Sequence, residues 1–391
     1  MRILYWFRKD LRLDDNTGLD AAARDARGDV VPFYTSEPDI LSRPDMAPIR
    51  VRFVLESLAD LATAVERCGS HLALSHGNAA ETVVQAARAV QADAVYWNDE
   101  YEPQLMRRDE AVQRALSAEG VVVRRFHDRL LVPPGAVATK DGTPFRRACE
   151  ALPLSEPLSR VRRFSPHDLP RRSIASLERL GFATGQAPWP GGAAAAKQRL
   201  VKFLTHGLQH YADQRDCPEY PITARLSADL KFGNISPRSV TSAVLAAARE
   251  VVAFLPSAEK FISELRWRDF YTHVLYHFPH VETGAFRRAC EAIRWQGDHE
   301  HLAAWQAGRT GYPLVDAGIR RHRVHAQSRE NGRRLVPDQG SAPRLAARRA
   351  PFHASARGWR PREQQRGLAV GRLDRHRRAA LLPDLQPGAA G

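Results

Sequence analysis

Glu264, Trp267, Arg268 and Tyr271 stand at positions i, i+3, i+4 and i+7 of a strongly patterned segment, so a helix there places all four on one stripe. An acid, an indole, a guanidinium and a phenol together are odd for core packing, because the polar heads need partners. The plain alternative is a solvated helix face with an exposed tryptophan. Upstream, residues 223–227 read Thr223, Ala224, Arg225, Leu226 and Ser227, just ahead of an apolar helical run. Small hydroxyl residues and free backbone N–H groups at a helix start suit a pyrophosphate. An ordinary N-cap would use the same residue types. Tyr211 lies twelve residues before Thr223 on a helical face, where a core tyrosine is the simpler reading. Arg215 follows four residues later and suits a surface ion pair equally well.

Positioning those residues requires two kinds of architecture. Residues 3–7, 30–34, 71–75, 94–98 and 121–126 are short apolar runs of strand length. Helical stretches separate them. In one, Val51, Val54, Leu55, Leu58, Leu61 and Val65 share a face, and another opens at Asn78 with Glu81 three residues on, a capping-box pattern. Strand–helix alternation predicts a doubly wound parallel sheet with ligands at the carboxyl ends of its strands. No GxGxxG occurs, so a dinucleotide fingerprint is not supported. Residues 129–192 are rich in Pro, Arg and Ser without sustained period and read as an interdomain linker. From residue 193 the pattern is helical: Leu200, Leu204, Leu208 and Tyr211 make one face, Ser236-Pro237 starts a second helix, and residues 258–277 form a third. The heptamer FRRACEA occurs at 145–151 and again at 286–292, at a period that fits no repeat architecture, and nothing functional follows from it.

Composition narrows the class. With 391 residues, 43% hydrophobic and 26% charged, the chain suits a globular protein of two domains. No apolar run reaches the roughly 20 residues of a membrane helix, and no signal-peptide core is present, so a cytoplasmic monomer is expected. Four cysteines without a CxxC pair make no disulfide framework. The net charge of +14 is uneven: residues 321–391 hold sixteen Arg, no Lys and five acids, and so carry +11 of it. That segment also lacks Ile, Met, Thr, Tyr and Cys, and has two aromatics, Phe352 and Trp359. It is expected to be disordered.

The segment YWFRKDLRLDDN at 5–16 resembles the opening of the photolyase/cryptochrome family. YADQRD at 211–216, TARLS at 223–227, LKFGNISPR at 230–238, ELRWRDFY at 264–271, Trp295 and GRTGYP at 308–313 follow in that family's order and spacing. The resemblance covers residues 1 to about 320 and is most like a class I cyclobutane pyrimidine dimer photolyase. It implies an α/β, Rossmann-like antenna domain at 1–128 and an all-α FAD-binding domain, here partial, at 193–320. The implied activity is light-driven electron transfer from reduced FAD that splits cyclobutane pyrimidine dimers in UV-damaged DNA. It further implies FAD contacts by Tyr211, residues 223–227 and Arg268, and lesion contacts by Arg215, Glu264, Trp267 and Tyr271. Trp295 would be the outermost tryptophan of the chain that reduces the flavin. Glu102, in the turn at 98–102 after a strand, lies where an antenna chromophore, methenyltetrahydrofolate or 8-hydroxy-deazaflavin, can be contacted. The family has Ser at the position of Ala224, which removes one possible phosphate hydroxyl. Two further readings stay open: a cryptochrome-like photoreceptor without repair activity, against which Glu264 and Trp267 argue, and a nucleic-acid binder using the Arg-rich tail. The tail arginines form no helical stripe and have almost no interleaved aromatics, which disfavours the second.

After residue 320 the family continues with TGxMHNR, SFLTKDL, DGD, NNGGWQW and YFRIFNP, none of which appears. Residues 322–328, HRVHAQS, can be written CAC CGG GTT CAT GCA CAA TCG; starting one base later gives TGFMHNR. The same shift turns residues 335–343 into SFLTKDLL, 358–360 into DGD, 364–371 into NNGGWQWA and 381–388 into YFRIFNPV. Codon choice alone does not give such sustained agreement, because most bases are fixed by the residues themselves. Residues from about 321 therefore read as out of frame. The lost frame would carry the inner tryptophans, the DGD carboxylates and the MHNR contacts, roughly the second half of the flavin cradle.

Overall fold

The computed structural model describes residues 1–43, 46–137, 142–183, 189–217, 220–293 and 299–322. The tail and Trp295 lie outside the described residues, and so do the expectations placed on them. The first region runs β1 (Ile3–Phe7), α1 (Thr17–Asp25), β2 (Val30–Ser36), α2 (Pro38–Leu41), α3 (Pro48–Glu66), β3 (Ala73–His76), α4 (Ala79–Ala89), β4 (Ala94–Asn98), α5 (Pro103–Ala118) and β5 (Val122–Phe126). The strands form one parallel sheet in the order β3-β2-β1-β4-β5, which reverses direction at β1. Side-chain alternation along β1 explains the two-sided packing. Ile3, Tyr5 and Phe7 face α1 and α3, with Leu19, Phe53, Leu58, Leu61 and Val65. Leu4 and Trp6 face α4 and α5, with Val83, Ala86, Val112 and Leu116. Each expected strand is present, displaced by at most two residues at its ends. The Asn78 side chain accepts from the N–H groups of Ala80 (2.9 Å) and Glu81 (3.4 Å), as its spacing to the helix predicts.

The second region holds α6 (Gly142–Glu150), α7 (Ala193–His206), α8 (Tyr211–Gln214), α9 (Ser227–Phe232), α10 (Pro237–Glu250), α11 (Leu255–His277), α12 (His299–Gln306) and α13 (Pro313–His322). Its core joins Leu200 and Phe203 of α7, Leu230 of α9, Val240 and Val244 of α10, and Phe261, Ile262 and Leu265 of α11. The face expected to run unbroken from Leu200 to Tyr211 is interrupted at Gly207, and a 3-10 turn (Leu208–His210) separates α7 from α8. The Ile222 carbonyl approaches Gly207 so closely that a Cβ would not fit, so the chain turns there. Among the described residues no helix is long and apolar enough to cross a membrane.

Residues 129–192 contain more structure than their composition suggests. Helix α6 packs Phe145 against Phe270 of α11, with ring centroids 5.4 Å apart. Extended segments are strapped to the sheet region by Val161 N–H donating to Leu13 O (3.2 Å) and Phe164 N–H to Cys68 O (3.0 Å), with both side chains buried. An extended strap needs one or two apolar anchors rather than a period, so periodicity cannot reveal it. The two FRRACEA copies also differ: the first is helical within α6, while the second gives a 3-10 turn (Arg288–Ala292). Tertiary surroundings override local preference here.

Candidate functional site

Helix α11 is 23 residues long and carries the acid–indole–phenol stripe on its solvent side. Trp267 is 38% exposed. Its indole stacks on the Tyr271 ring (centroids 6.0 Å apart, planes 27° apart) and meets Phe270 edge-on at 5.5 Å. Arg215, at the end of α8, donates to the Glu264 carboxylate at 2.5 Å. Burial pushes the Tyr271 hydroxyl above its ordinary range, with Glu264 adding to the effect. The Tyr211 hydroxyl is raised for the same two reasons, against the pull of Arg215. Glu264, Trp267, Tyr271, Arg215 and Tyr211 thus form one neighbourhood: a half-exposed carboxylate with its own cation, beside a flat aromatic surface.

Arg268 departs from that stripe. Its guanidinium donates to the carbonyls of Arg129 (2.8 Å) and Leu230 (3.2 Å), tying α11 to the start of the linker and to α9. Tyr211 is 7% exposed and packs edge-on to Phe203 (5.6 Å) and Phe261 (5.3 Å). It is a core tyrosine whose ring lies under the Arg215 guanidinium, 5.8 Å from the ring centre.

The loop at 223–227 alternates cleanly: Thr223, Arg225 and Ser227 are exposed, while Ala224 and Leu226 are buried in the same core as Phe261 and Leu265 of α11. The loop thus shares a core with the first half of α11, whereas Trp267 and Tyr271 lean on Phe270, which belongs to a second core with Phe145 and Val274. Ala224 points inward, so the hydroxyl it lacks is not one the outer side of the loop would present. Helix α9 spans six residues, so its dipole adds little, and an anion would rely on loop N–H groups and the Thr223 and Ser227 hydroxyls. Asp229 anchors α9 from beneath by accepting two bonds from Arg199 (2.9 and 2.6 Å). Arg225 has φ +53°, a left-handed conformation that side-chain-bearing residues adopt at a cost of about 1–2 kcal/mol. Such strain concentrates at functional loops. Arg225→Gly is expected to stabilise the fold by about 0.5–1 kcal/mol, since glycine's added entropy cost is smaller than the relieved strain. Urea unfolding checks this; a loss of stability would mean that the guanidinium has a partner of its own.

Glu102 sits not in an open turn but at the start of α5, largely covered. It accepts from Lys9 (2.9 Å) and from Lys231 of α9 (2.5 Å). Burial opposes its charge, yet Lys231 and Lys9 hold its carboxyl well below the usual range. It bridges the sheet region to the helical region. Sequence reasoning missed this bridge, and it missed the buried ions Arg12, Asp15, Asp128 and Arg238, which meet across the same boundary. Two of the quoted motifs contain three of these four, but spacing alone gave no reason to pair them.

A doubly wound sheet is joined to a helical body that brings the 223–227 loop and the aromatic–carboxylate ridge to one helix, α11. Residues 3–150 match the DNA photolyase model and residues 261–336 the model of the FAD binding domain of DNA photolyase, the second match running past residue 321. A deoxyribodipyrimidine photo-lyase of a Synechococcus species is 35% identical over 338 residues, covering 81% of this chain and 69% of the relative. A bacterial class III photolyase from Agrobacterium tumefaciens superimposes with a TM-score of 0.79 at 28% identity, covering 94% of this chain and 79% of that one. An archaeal photolyase from Sulfolobus tokodaii, solved with two FAD molecules, gives 0.75 at 27%, covering 95% and 83%. The chain belongs to the DNA photolyase family.

Proposed function

We propose that the protein is a deoxyribodipyrimidine photolyase by descent, acting on cyclobutane pyrimidine dimers in UV-damaged DNA. The single observation that carries this reading is the Glu264–Trp267–Tyr271 ridge beside Arg215, on the helix whose first half shares a core with the 223–227 loop. Thr223, Arg225 and Ser227, with the loop N–H groups, would hold the phosphates of FAD; Tyr211 and Arg268 support that cradle from within. Bound in reduced form, FAD supplies the light-driven electron that opens the dimer. The chain's own residues receive the lesion. Photolyases are among the enzymes that take their target bases out of the stack. Ion-paired to Arg215, the Glu264 carboxylate accepts hydrogen bonds from the pyrimidine edges, while Trp267 offers its exposed ring to their faces.

A second, light-harvesting chromophore, a methenyltetrahydrofolate or an 8-hydroxy-deazaflavin, belongs at the strand ends beside Glu102, whose own carboxylate is taken up by Lys9 and Lys231. Sheets of this type bind ligands at the carboxyl ends of strands where their order reverses, which is β1 and β4 here. Trp295 would serve as the outer electron donor, and a cytoplasmic monomer is the expected form. Residues from about 321 are read out of frame, so this chain as encoded lacks the remainder of the cradle and is impaired or inactive in repair. In a protein with the frame restored, Trp267→Ala should weaken binding to dimer-containing DNA by about 1–3 kcal/mol, the range for lost base stacking. Binding to undamaged duplex should hardly change, because phosphate contacts dominate there. Equal losses on both DNAs would make Trp267 merely structural.

A further inference from the structure

The segment Lys9 to Asn16 and the segment Leu230 to Ser239 interlock. Leu11 N–H donates to Phe232 O (3.1 Å) and Arg12 to Gly233 O (3.1 Å). Gly233, at φ +68°, comes so close to the Lys9 carbonyl that no side chain would fit between them. At the centre is Asp15, 1% exposed and itself left-handed at φ +48°. Its carboxylate accepts from Leu158 N–H of the linker (2.9 Å), Arg238 Nε (3.0 Å), Ser239 Oγ (2.9 Å) and Ser236 Oγ. Its carbonyl accepts from Arg12 (2.6 Å) and Arg238 (3.0 Å). Ser236 in turn caps α10, accepting from Ser239 N–H at 2.9 Å. One buried carboxylate from the sheet region thus meets the linker and the N-terminus of a 14-residue helix of the other region, where negative charge is favoured. A left-handed non-glycine residue persists where the surroundings over-determine it, and seven hydrogen bonds from three parts of the chain, two of them from Arg12 to its carbonyl, do so here.

We propose that Asp15 is a positioning residue, the keystone of an interdomain latch that fixes the helical body, and with it the 223–227 loop and the α11 ridge, against the sheet. The latch is independent of whether flavin is held. Hydrogen exchange on the 391-residue chain tests it, read at amides that Asp15 does not touch. In Asp15→Ala, exchange of Leu11 N–H, which bonds Phe232 across the boundary, and of Val161 N–H in the linker should quicken about tenfold or more. The amides pairing β1 with β2 should keep their protection. Asp15→Asn, which retains an acceptor and tolerance for the left-handed backbone, should fall between the two. Faster exchange confined to residues 12–17 would reduce Asp15 to a local turn residue and overturn the latch. Should Asp15→Ala fail to fold, Ser239→Ala removes one bond from the opposite side. The same remote amides should then quicken by a smaller factor, and a change limited to the first turn of α10 would count against the proposal.

Discussion

Asp128→Ala is expected to destabilise the protein by about 3–5 kcal/mol, because it leaves two buried cations facing each other. Asp128 is fully buried and accepts from Arg12 (2.5 Å), Arg238 (2.8 Å) and Thr17 N–H (3.0 Å). Burial alone would raise its pKa, but Arg12 and then Arg238 hold the carboxyl down at about 2. A folded-state value below the unfolded value of about 3.9 means that this stabilisation is fully present above pH 4. It is lost as pH falls through the folded value, and amounts to about 2–3 kcal/mol for a shift of this size. Urea midpoints measured between pH 5 and pH 2 should fall for the native sequence, with a shallower slope for the variant. Parallel pH profiles, or a loss within 1 kcal/mol, would show that the carboxylate is not the centre of this ion network.

The second large effect concerns flavin. The 391-residue chain is expected to purify with little FAD, whereas the frame-restored protein should bind it stoichiometrically. The 223–227 loop and the Arg199–Asp229 anchor beneath it, the proposed phosphate wall, are present here. The DGD segment that the family resemblance implies for the opposite wall does not occur in the sequence. Absorbance of the purified proteins in the flavin bands decides this directly. Stoichiometric flavin on the chain as encoded would mean that half a cradle suffices.

Much of the sheet was legible because strands buried on both faces read as compact apolar runs, and residues 3–7 and 94–98 match β1 and β4 end for end. The α11 stripe was legible as spacing, but its division was not. Whether a guanidinium at i+4 turns outward or, like Arg268, inward to carbonyls depends on the linker packed beside it, which no helical period encodes. At Gly207 the Ile222 carbonyl closes in from further along the chain, and the left-handed backbone of Arg225 has no signal in its residue type. Asp15 and Arg238 lie 223 residues apart, and only the folded chain shows that two motifs quoted separately are each other's partners. Glu102 illustrates the same limit: a carboxylate in a turn after a strand reads as open to a ligand until Lys231 arrives from the other domain.

Light-dependent repair is the most direct measurement. A duplex carrying one cyclobutane thymine dimer is mixed with frame-restored protein, illuminated with blue light or kept dark, and assayed for restored thymines. Repair is expected in the light alone, with little from Glu264→Ala and none from the 391-residue chain as encoded. A frame-restored protein that holds FAD and binds the dimer yet leaves it intact under illumination would contradict the photolyase reading and favour a photoreceptor.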